Sequence, residues 1–263
     1  MTNEPTPTLV RVDVVRGIAT LTLDSPSNRN ALSRALMTEL IAALNSAASN
    51  DDVRAVVLDH TGPVFCSGAD LKETAAAYAG EGEMPAAMLG ELLATVWEFP
   101  KPVVARVGGA ARAGGLGLIA AADIAVADEA ATFAFSEVRI GVVPAIISAP
   151  VLRRLEPRAA SELFLTGEVF DGRRGAAIGL LTSAVPAAEL DRAVERYCDA
   201  LARGGPIALA ATKQLLLRPT GATVRDDLTV LSALSIGYFG SDEGREGVQA
   251  FKEKRPAAWV PQN

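Results

Sequence analysis

Residues 103–137 read VVARVGGAARAGGLGLIAAADIAVADEAATFAFSE, and this stretch decides how the whole chain is interpreted. A hydrophobic run at Val103 opens into a glycine-rich turn, a short apolar helix follows, and Glu137 is the one acidic residue of FAFSEVRIGVVP. Because the first N–H groups of a helix have no partner within it, a glycine turn that opens a helix stabilises negative charge. A carboxylate opposite such a turn would provide the groups needed for proton transfer beside a carbonyl.

The composition indicates a globular protein. A chain of 263 residues with 49% hydrophobic content can form one large domain, or one domain with a smaller appendage. A net charge of −6 argues against nucleic acid as a partner, because binding a phosphate backbone needs clustered basic residues. The stretch MTNEPTPTLV lacks the features of a signal peptide, and no apolar run reaches the roughly 18 residues of a membrane span, so we expect a cytoplasmic protein without a membrane partner.

The two cysteines are expected to be free and buried. Cys66 and Cys198 are far apart in the chain, and each lies among apolar residues. This spacing favours neither a disulfide nor a metal site, and we expect no metal.

The pattern of elements favours an α/β architecture. The alternating runs LVRVDVV and GIATLTL predict a hairpin around Arg16 and Gly17, and Ser33 can cap a helix that extends to about Ala48. Residues 72–85 are rich in alanine and glycine and predict a mobile loop or a frayed helix. Strand and helix patterns alternate to about residue 186. We therefore predict an α/β core over residues 1–186 and a helical C-terminal region over residues 187–263.

Two loops could contribute to one site. GLGLIA at residues 115–120 matches a dinucleotide-binding motif, but the connection from Gly114 to the strand opening at Asp123 is too short for a parallel crossover, so no nicotinamide cofactor is expected. CSGADLKE, residues 66–73, follows a strand and is either a plain turn or a second place where backbone approaches a ligand. The two loops together could direct one N–H group each at the same oxygen.

The chain resembles the enoyl-CoA hydratase/isomerase superfamily, which has the crotonase fold. The resemblance extends over nearly the whole chain and rests on the order and spacing of several segments. These are SNRNALS, RAVVLDHTGPVFCSGADLKE, KPVVARVGGAARAGGLGLIAAADIAVA, FAFSEVRIGVVP, LTGEVFDGRRGAAIGLL and EGVQAFKEKR. It implies a spiral of ββα units with a helical C-terminal trimerisation region, and a homotrimer or a dimer of trimers.

The resemblance also implies an active site for an acyl-CoA thioester. The backbone N–H groups of Ala69 and Gly114 would bind the thioester oxygen, and Glu137 would be the catalytic acid and base. Coenzyme A would arrive as part of the substrate, so no separate cofactor is expected. The residues expected to contact the substrate or its CoA portion are Arg29, Ala31, Ser67, Gly68, Asp70, Leu71, Lys72, Gly115, Gly117, Phe251 and Lys254. Arg29 and Lys72 would meet CoA phosphates or be solvated surface charges, and Phe251 and Lys254 would approach the CoA bound to a neighbouring subunit.

One departure from the family pattern leaves the reaction open. Hydratases of the family commonly use two glutamates, and the position of the first is Gly117 here. The preferred hypothesis is a hydratase that adds water across the 2,3 double bond with Glu137 alone. A Δ3-Δ2 enoyl-CoA isomerase needs only this glutamate as well, and a CoA-ester-binding protein without turnover is the third alternative. The string SEVRIGVVPAII most resembles the methylglutaconyl-CoA and isohexenylglutaconyl-CoA hydratases of leucine and acyclic-terpene degradation.

Three further side chains have alternative interpretations. Glu137 is either catalytic or paired with Arg139 or a nearby arginine on a solvated face, and its apolar surroundings favour catalysis. Arg112 either faces solvent or points into the acyl pocket to pair with a substrate carboxylate. His60, the only histidine, lies outside the motifs and is interpreted as structural.

Overall fold

The computed structural model describes residues 8–81 and 85–261. Its strands are β1 (Val10–Val15), β2 (Ile18–Leu23), β3 (Ala55–His60), β4 (Val64–Cys66), β5 (Val103–Val107), β6 (Ala110–Arg112), β7 (Ile124–Asp128), β8 (Thr132–Ala134), β9 (Phe170–Asp171) and β10 (Ser183–Val185). Its α-helices are α1 (Arg34–Ser49), α2 (Leu71–Tyr78), α3 (Pro85–Trp97), α4 (Gly114–Ala121), α5 (Ala145–Val151), α6 (Pro157–Thr166), α7 (Gly172–Ala177), α8 (Leu190–Ala202), α9 (Pro206–Leu217), α10 (Val224–Gly240) and α11 (Asp242–Glu253). The α/β prediction is confirmed.

The strands form two sheets that the chain visits in turn. The six-stranded sheet has the order β1-β2-β3-β5-β7-β10, and the four-stranded sheet has the order β4-β6-β8-β9. From β3 onward, a strand of the first sheet is followed by a strand of the second and then by helix, and this unit recurs with β5 and with β7. Successive units lie side by side in both sheets, mostly as parallel neighbours. The chain therefore advances as a spiral of ββα units.

The predicted hairpin and first helix are both present. Arg16 and Gly17 have φ of 49° and 79°, as a two-residue turn between antiparallel strands requires. The Ser33 hydroxyl accepts a hydrogen bond from Leu36 N–H, which caps α1. The apolar stripe of α1, which includes Leu40 and Leu44, is fully buried in the core.

The six-stranded sheet separates two hydrophobic clusters. The larger cluster contains α1, α3 and α4, whereas Val57, Val104 and Val126 face α8 on the other side. All described elements after β10 are helical, and α10 has no buried residue. The division of the chain into residues 1–186 and 187–263 stays a prediction.

Helix α2 occupies most of the segment predicted as a mobile loop or a frayed helix. The Asp70 carboxylate accepts hydrogen bonds from Lys72 N–H and Glu73 N–H, so it caps this helix. Glu73 Oε2 in turn accepts a hydrogen bond from Arg34 N–H at 2.8 Å and joins α2 to the start of α1. Of the two alternatives, the structure therefore supports a helix over Leu71–Tyr78, and residues 82–84 of the predicted segment lie outside the described residues.

Candidate active site

Three neighbouring parallel strands bring the predicted catalytic residues to one edge of the four-stranded sheet. Cys66 of β4 is aligned with Ala111 of β6, and Arg112 of β6 is aligned with Ala134 of β8. Ala69, Gly114 and Glu137 follow the C-terminal ends of these three strands within two or three residues. Because adjacent parallel strands end at the same edge, their following loops meet there. The sheet thus gathers three groups that are far apart in sequence.

The two predicted N–H donors lie in turns that touch each other. Gly68 has φ of 91°, and a Cβ placed on it would lie 3.3 Å from Gly114 N. Its carbonyl accepts a hydrogen bond from Leu32 N–H at 2.8 Å, which fixes the turn. In the part of the chain that the structure describes, neither Ala69 N–H nor Gly114 N–H donates a hydrogen bond. Two unused donors on adjoining turns are the arrangement that an oxyanion site requires.

The residue before α4 is held in an unusual conformation. Ala113, the N-cap of this helix, has φ of 47° and ψ of −115°. Such a conformation costs a residue with a Cβ on the order of 1–3 kcal/mol. The surrounding packing imposes it, because Ala113 N–H is bound to Ala134 O and its Cβ would lie 2.9 Å from one on Gly68. Gly114 N–H therefore has its direction set by strained backbone.

Cys66 contacts both turns, through its thiol sulfur and its backbone carbonyl. Gly68 N–H donates to Cys66 Sγ at 3.4 Å, and a Cβ on Gly115 would lie 2.6 Å from the Cys66 carbonyl oxygen. Burial raises the pKa of the Cys66 thiol to about 12, so the thiol stays protonated. Both cysteines of the chain are buried and free, as predicted.

Glu137 combines a buried carboxylate oxygen with a raised pKa. It lies in a short 3-10 turn, Ser136–Ile140, directly after β8. Its Oε2 atom is buried and has no hydrogen-bond partner among the described residues. Burial raises the pKa of this carboxyl above its usual value, and a hydrogen bond from its own backbone N–H partly opposes the rise. A carboxyl with a buried, unpaired oxygen and a raised pKa is a candidate for proton transfer.

The alternative that Glu137 pairs with Arg139 finds no support. Within the described residues, no salt bridge involves Glu137. The side chain of Arg139 instead packs over Gly167 at the end of α6, where a glycine Cβ would lie 3.0 Å from Arg139 Cγ. The carboxylate is therefore free of a local counter-charge.

Aliphatic side chains fill the space beside Gly117. Gly117 lies one turn after Gly114 in α4, and a Cβ on it would be 3.0 Å from both Leu93 Cδ1 and Ile147 Cγ2. Leu89, one turn before Leu93 in α3, likewise approaches Gly114. Neither α3 nor α5 carries a sequence motif, so this wall could not be predicted from the sequence. No carboxylate fits at position 117 unless these side chains move.

The remaining predicted residues fall into two groups. Ala31, Ser67 and Gly115 lie in or against the two turns, and Ser67 N–H bonds to Arg29 O at 3.1 Å. The others lie toward the surface, where the side chains of Arg29, Leu71, Lys72, Phe251 and Lys254 are exposed. The Asp70 carboxylate is engaged as the cap of α2. Contacts of these residues with a substrate stay predictions.

Arg112 does not follow the hypothesis that it enters the acyl pocket. It is half-buried, and its guanidinium donates to Thr132 O at 2.5 Å and to Thr132 Oγ1 at 3.1 Å. Thr132 is at the start of β8, whereas Glu137 follows the end of that strand. The side chain therefore points back along the sheet and links β6 to β8.

His60 has the structural role that the sequence suggested. It is buried, and its Nε2 accepts a hydrogen bond from Gly108 N–H at 3.0 Å. Its ring meets Phe65 edge-on, with centroids 5.5 Å apart. Burial lowers the pKa of His60, so the ring stays neutral at neutral pH.

A cavity of about 770 Å³ lies on the opposite side of the six-stranded sheet, between that sheet and α8. Arg106 on its wall contacts both Asp59 and Asp191, and the other two acids of the lining, Glu195 and Asp199, are exposed. It offers no unpaired buried acid, so the candidate site is the sheet edge with Glu137 and not this cavity.

Among the described residues, no helix combines the length and the apolar character that a membrane span needs.

Comparisons with known proteins identify the family of this chain. The family model described as enoyl-CoA hydratase/isomerase matches residues 13–262. The human mitochondrial enoyl-CoA hydratase domain-containing protein 3 is 29% identical over 258 residues, which cover 98% of this chain and 84% of the human protein. Among solved structures, an enoyl-CoA hydratase from Mycobacterium smegmatis has a TM-score of 0.87 at 32% identity and covers 96% of this chain and 99% of its own. Pseudomonas aeruginosa AtuE has a TM-score of 0.89 at 33% identity, with coverages of 96% and 100%.

The chain winds as a spiral of ββα units between two sheets, which is the crotonase fold. Two free N–H groups and the carboxyl of Glu137 follow a shared edge of the smaller sheet. The chain belongs to the enoyl-CoA hydratase/isomerase family.

Proposed function

We propose that this protein is an enoyl-CoA hydratase that adds water across the 2,3 double bond of an acyl-CoA thioester. The observation that carries the proposal is the carboxyl of Glu137, whose Oε2 is buried without a partner among the described residues, in the loop that leaves the same sheet edge as the two adjoining turns with free N–H groups. Addition at C3 places negative charge on the thioester oxygen, and the N–H groups of Ala69 and Gly114 would stabilise it. Each such donor contributes about 3 kcal/mol to transition-state stabilisation in comparable sites.

In this proposal Glu137 performs both proton transfers. Its carboxylate takes a proton from the attacking water, which forms the bond to C3. The carboxylic acid then returns a proton to C2 as the enolate collapses and the thioester carbonyl re-forms. A pKa raised by burial suits both steps, because the carboxylate is a stronger base and the acid remains available closer to neutral pH.

The location of the CoA portion and the assembly are further parts of the proposal. Exposed Arg29 and Lys72 flank the two turns and carry the charge that phosphates need. Phe251 is 85% exposed on α11, and we expect it, with Lys254, to cover CoA in a neighbouring subunit of a trimer or a dimer of trimers. A branched or dicarboxylic acyl group, as in leucine degradation, and a cytoplasmic location stay predictions.

One observation favours isomerisation as a second candidate. Leu93 and Ile147 close the space beside Gly117, and the carboxylate of Asp70 is engaged as the cap of α2. Glu137 therefore supplies the carboxyl with a buried, unpartnered oxygen at this edge of the sheet. A Δ3-Δ2 isomerase removes a proton from C2, returns one at C4, and needs no activated water. A site with one acid and an aliphatic wall is sufficient for that reaction.

An assay with two substrates decides between the reactions. The purified protein is given a 2-enoyl-CoA and a 3-enoyl-CoA, and the absorbance of the conjugated thioester is followed. Loss of absorbance with the 2-enoyl ester supports a hydratase, whereas a gain with the 3-enoyl ester alone identifies an isomerase. The matched variant E137Q should abolish either signal, while E91Q, which alters an exposed glutamate of α3, should not. Binding of both esters without turnover by the wild-type protein would show a CoA-ester-binding protein and overturn the proposal.

A further inference from the structure

The outer edge of β1 is an unpartnered strand edge. Among the described residues, β1 pairs only with β2, and every residue of β1 after Val10 is exposed. Val12 and Val14 are 49% and 47% exposed. Natural proteins normally cover or interrupt such an edge, because its free N–H and C=O groups can pair with another strand. The strand VRVDVV contains neither proline nor lysine to prevent this.

The hairpin fixes which backbone groups face outward. The two-residue turn at Arg16 and Gly17 makes Val15 and Ile18 a hydrogen-bonded pair, and hydrogen-bonded pairs alternate along antiparallel strands. The N–H and C=O groups of Val10, Val12 and Val14 therefore point away from β2. Val10 N–H is already bound by Glu39 Oε2 at 3.0 Å. The groups left on the edge are both groups of Val12 and Val14 and the carbonyl of Val10.

The side chains of this edge are complementary to their own copy. Around Val12 the sequence reads VRVDV, so valines lie two residues to either side and opposite charges lie one residue to either side. An antiparallel copy centred on Val12 would place Arg11 opposite Asp13 twice. Cross-strand pairs of opposite charge stabilise a sheet, and like charges in that position destabilise it. A register centred on Asp13 would place two aspartates together.

We propose that β1 pairs in antiparallel fashion with β1 of a second copy of this chain, with Val12 on the two-fold axis. Val12 N–H donates to the carbonyl of Val12 of the partner subunit, and Val14 N–H donates to the carbonyl of Val10 of the partner subunit, with the reciprocal bonds from the partner. Arg11 Nε already contacts Asp24 at 2.8 Å, which leaves its terminal nitrogens for Asp13 of the partner subunit. The shared face covers the exposed halves of Val12 and Val14.

This contact is independent of the catalytic proposal, because no residue of β1 lies at the candidate active site. A two-fold contact gives assemblies with an even number of subunits. If the chain also forms trimers, the same contact joins two of them. The inference can therefore be tested by assembly alone.

Disulfide trapping tests the register. At the two-fold position the two Cα atoms of a hydrogen-bonded pair lie about 5.5 Å apart, within the range of a disulfide. V12C should form a covalent dimer under mild oxidation. The matched control V15C is more exposed, at 64%, but its two copies would lie about 20 Å apart in this register and should not cross-link. Native Cys66 and Cys198 are buried and do not compete.

Charge reversal tests the pairing in solution. Sedimentation of the wild-type protein should give an even-numbered assembly, and D13R should cause a twofold loss of its mass. The variant R11D/D13R/D24R should restore the mass, because it exchanges both cross-strand charges and keeps an opposite charge at position 24, which contacts residue 11. R192D alters an exposed arginine of α8 and should have no effect. Three outcomes would overturn the proposal: an odd-numbered wild-type assembly, an unchanged mass in D13R, or equal cross-linking of V12C and V15C. Each would also leave this edge open to a partner other than a second β1.

Discussion

Gly68 and Gly114 are in direct contact across the candidate site, since a Cβ on Gly68 would lie 3.3 Å from Gly114 N and 2.9 Å from Ala113 Cβ. The turn after β4 and the start of α4 therefore have one relative position, and neither can accept a larger residue without separating. The proposed oxyanion site depends on this contact.

G68A should separate the two turns and lower activity. We expect kcat to fall by about 10²–10³-fold, the effect of losing one oxyanion donor. The substitution also places a Cβ at φ of 91°, which costs about 1–2 kcal/mol of stability. G80A is the matched control, because Gly80 has φ of 83° but no atom of the described residues lies within 4 Å of an added Cβ. Steady-state kinetics and thermal unfolding of both variants separate the clash from the backbone strain, and equal activity in the two would contradict the prediction.

E137Q should lower activity and raise stability. We expect a loss of about 10²–10⁴-fold in kcat, as for removal of a general acid or base. Because burial raises the pKa of the folded-state carboxyl, the charged form destabilises the native protein above that pKa. E137Q should therefore unfold at a higher temperature than the wild type at neutral pH. The difference should shrink as the pH falls through the folded-state pKa and vanish below the ordinary value of 4.5. A constant difference across pH would show that the carboxyl is not the cause.

His60 should make the folded state sensitive to mild acid. Its pKa in the folded protein is lowered by burial from 6.5, so the unfolded chain binds the proton first. Stability should be complete above about pH 6.5 and decline as the pH falls further toward the folded-state pKa. H60Q retains an acceptor for Gly108 N–H but does not titrate, and it should remove this part of the decline. Urea unfolding of the wild type and H60Q between about pH 7.5 and 5 measures the effect. The difference between the two proteins isolates His60 from Glu137, whose raised pKa changes stability in the opposite direction.

G117E should destabilise the protein and not create a second catalytic acid. The new carboxylate would be buried against Leu93 and Ile147, and an uncompensated buried charge costs about 3 kcal/mol or more. G90E is the control, because Gly90 of α3 has open space around it. Adding L93A should cost less in the G117E background than in the wild type, where Leu-to-Ala changes in a core cost about 2–5 kcal/mol. Chemical denaturation of the wild type, G117E, L93A and G117E/L93A gives the coupling energy between the two positions. Additive changes in the free energy of unfolding would refute the packing argument.

The sequence revealed the elements whose signals are local. The hairpin follows from alternation and from a turn at Arg16 and Gly17, and α1 follows from the Ser33 cap and its apolar stripe. The opening of α4 at Gly114 was also predicted, because glycines followed by an apolar run mark a helix start. Helix α2 was obscured, since its alanine-rich sequence has little periodicity and its stability comes from the Asp70 cap and the bond from Arg34 to Glu73.

Features that depend on tertiary contacts could not be predicted. The four-stranded sheet consists of strands of two or three residues, too short for a recognisable pattern. The wall beside Gly117 joins two helices that are separate in sequence. The direction of Arg112 is set by Thr132 on a neighbouring strand, and the conformation of Ala113 is imposed by packing, so no property of either residue type indicated them.

The spiral course of the chain also bears on how such a site can change over evolutionary time. Each turn of the spiral contributes one residue of the proposed active site, with Ala69 from the first, Gly114 from the second and Glu137 from the third. A replacement in one of the three loops can alter a single ingredient while the frame and the other two remain. The loops at this edge of the four-stranded sheet can therefore change independently, and new reactivity can arise there one loop at a time.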